Sequence, residues 1–222
     1  MSNATRNASP GAPDVLVLGI GNLLWADEGF GVRAVEALHD AYAMPAGVEL
    51  LDGGTQGLLL LDPVCSARRV LVFDAIDFGL APGSLRMLLN REVPVWGFTK
   101  MSLHQQSFHE LLAIADLQGR FPPHLVLIGV QPECLSDFGG SLSAAVKAQL
   151  PAAIEHAVAQ LGDWGFAPAR RAAPAERLNA AALELAAYET GRPSADAACR
   201  VGDARFLGIR SANERRADTE PS

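Results

Sequence analysis

GIGNLLWADEGFG, residues 19–31, is a glycine-rich segment that carries two adjacent carboxylates, Asp27 and Glu28. It follows an apolar run at residues 15–18, which predicts a buried strand, and it precedes residues 32–38, whose pattern predicts a helix. Glycine permits positive φ angles and lets a neighbouring group approach the backbone closely. In an α/β sheet, a turn of this kind lies at the carboxyl end of a strand, where ligands bind.

Strand-like and helix-like segments alternate from residue 14 to residue 165. This alternation predicts a single three-layer α/β domain, in which a mainly parallel, twisted sheet is covered by helices on both faces. Pro151 lies within the last helical segment, and we expect it to kink that helix. The predicted strands lie at residues 14–19, 48–51, 70–73, 85–89 and 125–130, and the predicted helices at residues 27–42, 56–61, 105–115 and 142–161.

Composition divides the chain into three parts. With 222 residues, of which 49% are hydrophobic and 19% charged, the chain has the length and composition of one well-buried domain, assigned to residues 14–165. Residues 1–13 are small and polar, and we expect a flexible N-terminus there. Residues 166–222 are rich in alanine and arginine, and we expect a C-terminal extension that is partly helical or disordered.

Several classes of function are disfavoured by charge and hydropathy. The net charge is −7, and the acidic part is residues 1–165, so nucleic acid is not an expected partner. No run approaches the roughly 20 apolar residues that span a bilayer, and residues 1–13 lack the apolar core of a signal peptide. We therefore expect a cytoplasmic protein without a membrane partner. The three cysteines form no CxxC pair, which disfavours a disulfide framework or a four-cysteine zinc site.

Three polar side chains stand at the ends of predicted elements: Glu28 at a helix start, Asp74 after a strand, and His104 in a segment where Ser102 and Gln105 have capping-box spacing. The carboxyl ends of parallel strands share one edge of the sheet, so these three side chains can converge there. Two carboxylates and one imidazole suit nickel, zinc or iron(II) better than copper(I). Three protein ligands leave a position open, as in catalytic metal sites.

Each of these residues also has an ordinary structural interpretation. Asp27 and Glu28 can act as helix caps, with Asp27 the expected cap, and Asp74 and His104 can be turn and surface residues. The glycine turn resembles part of a dinucleotide fingerprint, but Leu24 occupies the position of the third glycine. Phosphate binding is therefore disfavoured.

A further carboxylate, Asp52, follows the second predicted strand in the sequence DGGT, residues 52–55. The two glycines favour a tight turn that Asp52 would shape. Equally, the position at the end of a strand would place Asp52 at the same edge as Glu28 and Asp74. There it would serve as a base or support a metal ligand.

Residues 21–31 resemble the opening motif of the hydrogenase maturation endopeptidases, which process the large subunit of nickel–iron hydrogenases. Four further motifs follow in the order found in that family, and the resemblance covers about residues 14–162. These motifs are DGGT at residues 52–55, DAI at 74–76, SLHQ at 102–105 and GVQPE at 129–133.

The resemblance implies an endopeptidase with a sheet flanked by helices. It implies that Glu28, Asp74 and His104 bind nickel and that Asp52 is the catalytic residue. The expected substrate and partner is the hydrogenase large-subunit precursor, from which a short C-terminal peptide is removed once nickel has entered. The precursor is expected to supply the nickel on its own thiolates, and other divalent metals can substitute.

Two other functions remain compatible with the sequence. A non-catalytic chaperone would sense nickel loading through the same three ligands without changing the mass of the precursor. A nucleotide-binding or phosphate-binding α/β module would bind a nucleotide tightly and would have little need for His104. The absence of the third glycine and of a phosphate-binding lysine disfavours the second.

Overall fold

A computed structural model describes residues 12–93, 103–174 and 176–192, except for the side chains of residues 103–107. In chain order its elements are β1 (Val15–Ile20), α1 (Phe30–Ala41), β2 (Tyr42–Ala43), β3 (Val48–Gly54), α2 (Leu61–Ser66), β4 (Arg69–Ala75), β5 (Leu85–Leu89), α3 (Leu103–Leu117), β6 (His124–Val130), α4 (Ala144–Lys147), α5 (Leu150–Asp163), β7 (Ala169–Arg170) and α6 (Leu185–Gly191). Short 3₁₀ turns occupy Ala26–Gly29, Gly57–Leu60 and Ala181–Leu183.

The central sheet has five strands in the order β3-β1-β4-β6-β5. The first four strands of that order run parallel, and β5 pairs antiparallel with β6 at the edge. The prediction of a mainly parallel α/β sheet is therefore confirmed, and the additional strand at residues 85–89 supplies the antiparallel edge. A second, two-stranded sheet joins β2 to β7. The parallel strands bring the loops after β1, β3, β4 and β6 to one edge of the sheet.

Helices cover both faces of the sheet, as expected. Side chains alternate between the faces along each strand, so each face has its own apolar core. One core packs the sheet against α1 and α5, and the other packs it against α2 and α3. The first core includes Val17, Phe30, Leu38, Phe73 and Leu161, and the second includes Leu18, Val72, Leu111 and Leu127.

The prediction of one long helix at residues 142–161, kinked at Pro151, is wrong. The chain forms two helices, α4 and α5, with Gln149 preceding the second and Pro151 in its first turn. Proline has no N–H to donate, and the N–H groups of a first helical turn have no partner within the helix. Pro151 therefore begins a new helix instead of bending an existing one.

The described part of the C-terminal extension carries β7, the 3₁₀ turn Ala181–Leu183 and α6. We call residues 176–192 the docked segment, because its side chains and backbone contact the face of the domain that carries α1. The remaining residues of the extension, and residues 1–11 of the predicted flexible N-terminus, lie outside the described residues.

Gly31, in the first turn of α1, lets that helix begin in close contact with two strands. A Cβ atom built on Gly31 would lie 2.1 Å from the carbonyl oxygen of Ile20 and 2.2 Å from that of Phe73. Both neighbours are backbone atoms at the ends of β1 and β4, so neither can move without disturbing the sheet. The last glycine of the opening motif therefore sets how α1 packs on the sheet.

We expect Gly31→Ala to lower the free energy of unfolding by about 3 kcal/mol, because overpacking a close contact forces the backbone to shift. Urea denaturation measures this change. The matched control is Gly162→Ala in α5, where a Cβ atom would meet nothing within 4 Å. Alanine favours the helix over glycine, so the control should be neutral or stabilising by up to about 1 kcal/mol. Equal stability of the two variants would contradict the packing argument.

Candidate active site

The first loop closes on itself and presents Glu28. The N–H of Asn22 donates to the carbonyl of Glu28 at 3.1 Å, and that of Gly21 donates to the carbonyl of Gly54 at 3.0 Å. Gly21 has a φ of +148°, and a Cβ atom there would lie 1.9 Å from the Glu28 carbonyl oxygen. Glu28 lies half-buried in the turn Ala26–Gly29. Gly21 is thus needed for a close backbone contact within the loop. This role accounts for the glycine without phosphate binding, which the sequence also disfavours.

Asp27 fastens this loop to the one that follows β6. Its carboxylate is fully buried and accepts the backbone N–H groups of Glu133 and Cys134 at 2.9 Å and of Ser143 at 2.7 Å. The backbone N–H of Asp27 donates in turn to the carbonyl of Cys134 at 3.1 Å. The prediction that Asp27 caps the helix is wrong, since no side chain in the described part of the chain caps the 3₁₀ turn or α1. The 3₁₀ turn aims the carboxylate into the interior instead.

Asp74 lies near the end of β4 and is only 3% exposed. Its Oδ1 accepts the N–H of Ala75 at 2.8 Å. Asp74 follows Phe73, which faces the core with α1, so the alternation of the strand directs Asp74 toward the face that carries α3. His109 on α3 is close enough to interact electrostatically with Asp74. Burial lowers the pKa of His109, and the negative charge of Asp74 opposes that shift.

The elements that carry two of the three predicted metal ligands are in contact at this edge. The turn with Glu28 contacts β4, which ends in Asp74 and Ala75, and α3 carries His104 at its start. The side chain of His104, and Ser102 of the predicted capping box, lie outside the described residues. Among the side chains that are described, no three acidic, histidine or cysteine residues form a metal-binding group. The donor types of the predicted set, two carboxylates and an imidazole, fit a divalent nickel ion.

Asp52 lies at the same edge but points toward the other face of the sheet. Asp52 pairs with Gly19 of β1, and Gly19 pairs on its other side with Phe73 of β4. Residues at one register position point to the same face, so Asp52 and Phe73 both point to the face that carries α1. Two strand spacings, or about 10 Å, separate Asp52 from Phe73. Oδ1 of Asp52 accepts the N–H of Gly54 at 2.9 Å and shapes the turn, as one of its two interpretations proposed. Oδ2 accepts Nδ2 of Asn179 at 2.8 Å.

Gln131, from the GVQPE motif, ties the loop after β6 to the loop after β4. The side chain is buried, and its Oε1 accepts the N–H groups of Phe78 at 2.7 Å and Leu80 at 3.1 Å. Its Nε2 donates to Oδ1 of Asp77 at 3.0 Å. The motif could be recognised in the sequence, but its role could not, because both loops had to be placed first. Gln131 holds the segment that directly follows Asp74.

The docked segment contributes contacts that the sequence did not indicate. Arg33 of α1, 4% exposed, donates to the carbonyl of Leu183 and lies 5.5 Å from the ring centroid of Tyr188. Lys147 binds Glu189 at 2.7 Å, and this hydrogen bond lowers the pKa of the Glu189 carboxyl. These contacts join residues that are more than 40 positions apart along the chain. They belong to no local motif, so the sequence alone could not indicate them.

Exposed apolar side chains border the first loop. Leu24 is 49% exposed and Phe138 is 42% exposed, although Leu24 and Trp25 lie next to the buried turn. The rings of Trp25 and Phe138 meet edge to face with centroids 5.2 Å apart, and the Leu24 carbonyl accepts the N–H of Gly139 at 2.7 Å. We call Leu24, Trp25 and Phe138 the apolar rim. A group of exposed apolar side chains is a candidate interaction surface.

Comparison with known proteins shows relatives along most of the chain. The family model HycI, hydrogenase maturation protease, matches residues 32–160. The hydrogenase expression/formation protein HoxM of Azotobacter vinelandii is 53% identical over 197 residues, which are 88% of this chain and 95% of that protein. The hydrogenase 2 maturation protease of Escherichia coli (strain K12) is 41% identical over 152 residues, which are 68% of this chain and 92% of that protein.

A solved structure agrees with these sequence matches. The hydrogenase maturating endopeptidase HybD from E. coli superposes with a TM-score of 0.67 at 39% identity, covering 71% of this chain and 97% of that one. The alignment with HoxM spans 197 residues, more than the 165 that precede the extension, so it runs into residues 166–222. The extension is therefore shared in part with that relative.

The described residues contain no helix long and apolar enough to cross a bilayer. The family model and the E. coli relative are those of maturation proteases, and the solved structure is a maturating endopeptidase with the fold described above, so the chain is a peptidase. The chain belongs to the hydrogenase maturation protease family.

Proposed function

We propose that this endopeptidase removes a short C-terminal peptide from the large-subunit precursor of a nickel–iron hydrogenase, and does so after nickel has entered the precursor. Family membership carries the proposal. It is supported by the turn with Glu28, which contacts β4, the strand that carries Asp74 near its end. The cytoplasmic location expected from the sequence is part of the same proposal.

In this proposal nickel is part of the substrate. It arrives on thiolates of the precursor, and Glu28, Asp74 and His104 complete its ligand shell. Oxygen and imidazole donors suit a divalent nickel ion, and the low exposure of Asp74 keeps water from competing for its carboxylate. The enzyme then binds the loaded precursor more tightly than the empty one, which makes cleavage conditional on nickel insertion. Bound nickel positions the scissile bond and can also polarise its carbonyl.

Asp52 is the proposed proton-transfer residue. It points away from the α3 face, so it does not compete with Asp74 for the metal. The scissile bond would therefore have to reach across the edge of the sheet, from the nickel on the α3 face to Asp52 on the α1 face.

Mass spectrometry of the precursor tests this function. Nickel-loaded and empty large subunit are each incubated with the full chain. Loss of a C-terminal peptide from the loaded subunit alone is the expected result. An unchanged mass despite binding would instead indicate the chaperone function, and equal cleavage of both forms would remove nickel from the recognition step.

The apolar rim is the proposed contact for the body of the precursor, because it borders the loop that presents Glu28. We expect Leu24→Asp to raise KM about tenfold and to leave kcat within about twofold, because the rim binds substrate before and during cleavage alike. Steady-state processing kinetics measure both constants. The matched control is Leu117→Asp at the end of α3, where the leucine is 88% exposed and lies toward the opposite edge of the sheet. The same KM for both variants would contradict the assignment.

A further inference from the structure

We propose that Asn179, in the docked segment, is a positioning residue that fixes the carboxylate of Asp52 for the cleavage reaction. The inference rests on the proposed function, since it is there that Asp52 is assigned proton transfer. Asn179 lies beyond residues 32–160, which the family model matches, and within the extension that the chain shares in part with HoxM.

The Asp52 carboxylate is held from two sides. Nδ2 of Asn179 donates to Oδ2 at 2.8 Å, and the backbone N–H of Gly54 donates to Oδ1 at 2.9 Å. The two donors belong to different parts of the chain, so together they fix the plane of the carboxylate. Among the described residues, removing Asn179 leaves the Asp52 carboxylate with the local contact to Gly54, about which it can rotate.

The amide of Asn179 also bridges two acids. Its Nδ2 carries two hydrogens, and besides Asp52 it binds Oε1 of Glu36 on α1 at 2.8 Å. Glu36 is in turn paired with the buried Arg33 at 2.9 Å. The bridge therefore anchors Asp52 to α1. Without the amide, the carboxylates of Asp52 and Glu36 would lose the donor that bridges them, and like charges at short range repel.

The docked segment holds Asn179 in place from both ends. Before it, Nε2 of His39 lies 2.7 Å from the carbonyl oxygen of Glu176. After it, Arg33 binds the Leu183 carbonyl, and Glu189 accepts Lys147 at 2.7 Å and Ser141 at 2.8 Å. While the segment is docked, these contacts give Asn179 a defined position.

Processing kinetics of the full chain test the proposal on nickel-loaded precursor, with melting temperature measured alongside. We expect Asn179→Ala to lower kcat between about tenfold and a hundredfold, because small misplacements of a reacting group have effects of this size. KM and melting temperature should change little. Asn179→Asp should lower kcat further by adding a third carboxylate. The double variant Asp52→Ala/Asn179→Ala should match Asp52→Ala alone, since Asn179 acts through Asp52.

The matched control is Arg177→Ala in the same segment, which removes an exposed ion pair with Glu184 and should leave kcat unchanged. If wild type does not shorten the precursor, the proposed function fails, and the role of Asn179 fails with it. If wild type is active and Asn179→Ala equals it, the inference alone is overturned. The inference is likewise overturned if Asn179→Ala is faster than wild type, which would make the segment an obstacle, or if it loses activity and melting temperature together.

Discussion

Asp74→Ala is expected to abolish processing, with kcat/KM falling at least about a hundredfold. Loss of a residue that only supports a metal ligand lowers activity by up to about a hundredfold, and loss of a ligand itself should cost at least as much. Asp74 is buried near the end of β4, where it would provide a negative oxygen donor to the nickel of the precursor. Without it the ion loses both a ligand and a compensating charge. Glu28→Ala and His104→Ala remove the other two proposed ligands and should have comparable effects.

The measurement is the rate at which the nickel-loaded large subunit loses mass, together with the affinity for loaded and empty precursor. Asp74→Ala should lose the preference for the loaded form. Asp74→Asn keeps the shape and the acceptor for the Ala75 N–H but lacks the charge, so it should be impaired to an intermediate degree. Asp62→Ala, which removes a carboxylate whose side chain is 84% exposed, is the control and should process normally. Near-normal processing by Glu28→Ala, Asp74→Ala and His104→Ala would contradict the proposal that these residues recognise nickel.

The second large effect is on stability. We expect Asp27→Ala to lower the free energy of unfolding by about 4 kcal/mol, in the range seen when a buried polar network loses one partner. The fully buried carboxylate accepts three backbone N–H groups, those of Glu133, Cys134 and Ser143. Alanine would leave all three donors without that acceptor in the interior.

Urea denaturation of the wild type and of two further variants measures this effect. Asp27→Asn keeps the size of the side chain and one acceptor oxygen, so we expect a smaller loss than for Asp27→Ala. Some loss remains, because the NH2 group of asparagine would face a backbone N–H donor. Asp40→Ala, which changes an exposed residue of α1, is the control and should stay within about 0.5 kcal/mol of wild type. A loss of less than about 1 kcal/mol for Asp27→Ala would show that the carboxylate does not hold the two loops together.

Much of the fold followed from local patterns. Residues 15–31 specify strand, turn and helix through apolar runs and glycines, and that unit is present as β1, the 3₁₀ turn and α1. Periodicity could not locate the break before Pro151, because an apolar helical pattern continues through it and only the missing N–H distinguishes a helix start from a kink.

The candidate site was predictable where a residue ends a strand, since parallel strands share one edge. Asp52 and Asp74 both lie there. Which face each one takes depends on the register of β3, β1 and β4, which a single sequence does not contain. The role of Asp27 was missed because its partners lie more than 100 positions away. Asn179 was missed for the same reason, 127 positions from Asp52 and within no motif.

The docked segment and the helix beneath it differ in how much free energy their opening costs. None of the seven residues of α6 is buried, whereas α1 contributes Phe30, Val35 and Leu38 to the core. The segment is held mainly by hydrogen bonds and ion pairs, with Leu178 and Leu185 partly buried against the core. Regions with few buried apolar contacts open locally at a fraction of the global free energy of unfolding. We therefore expect residues 176–192 to open from α1 more readily than the sheet unfolds.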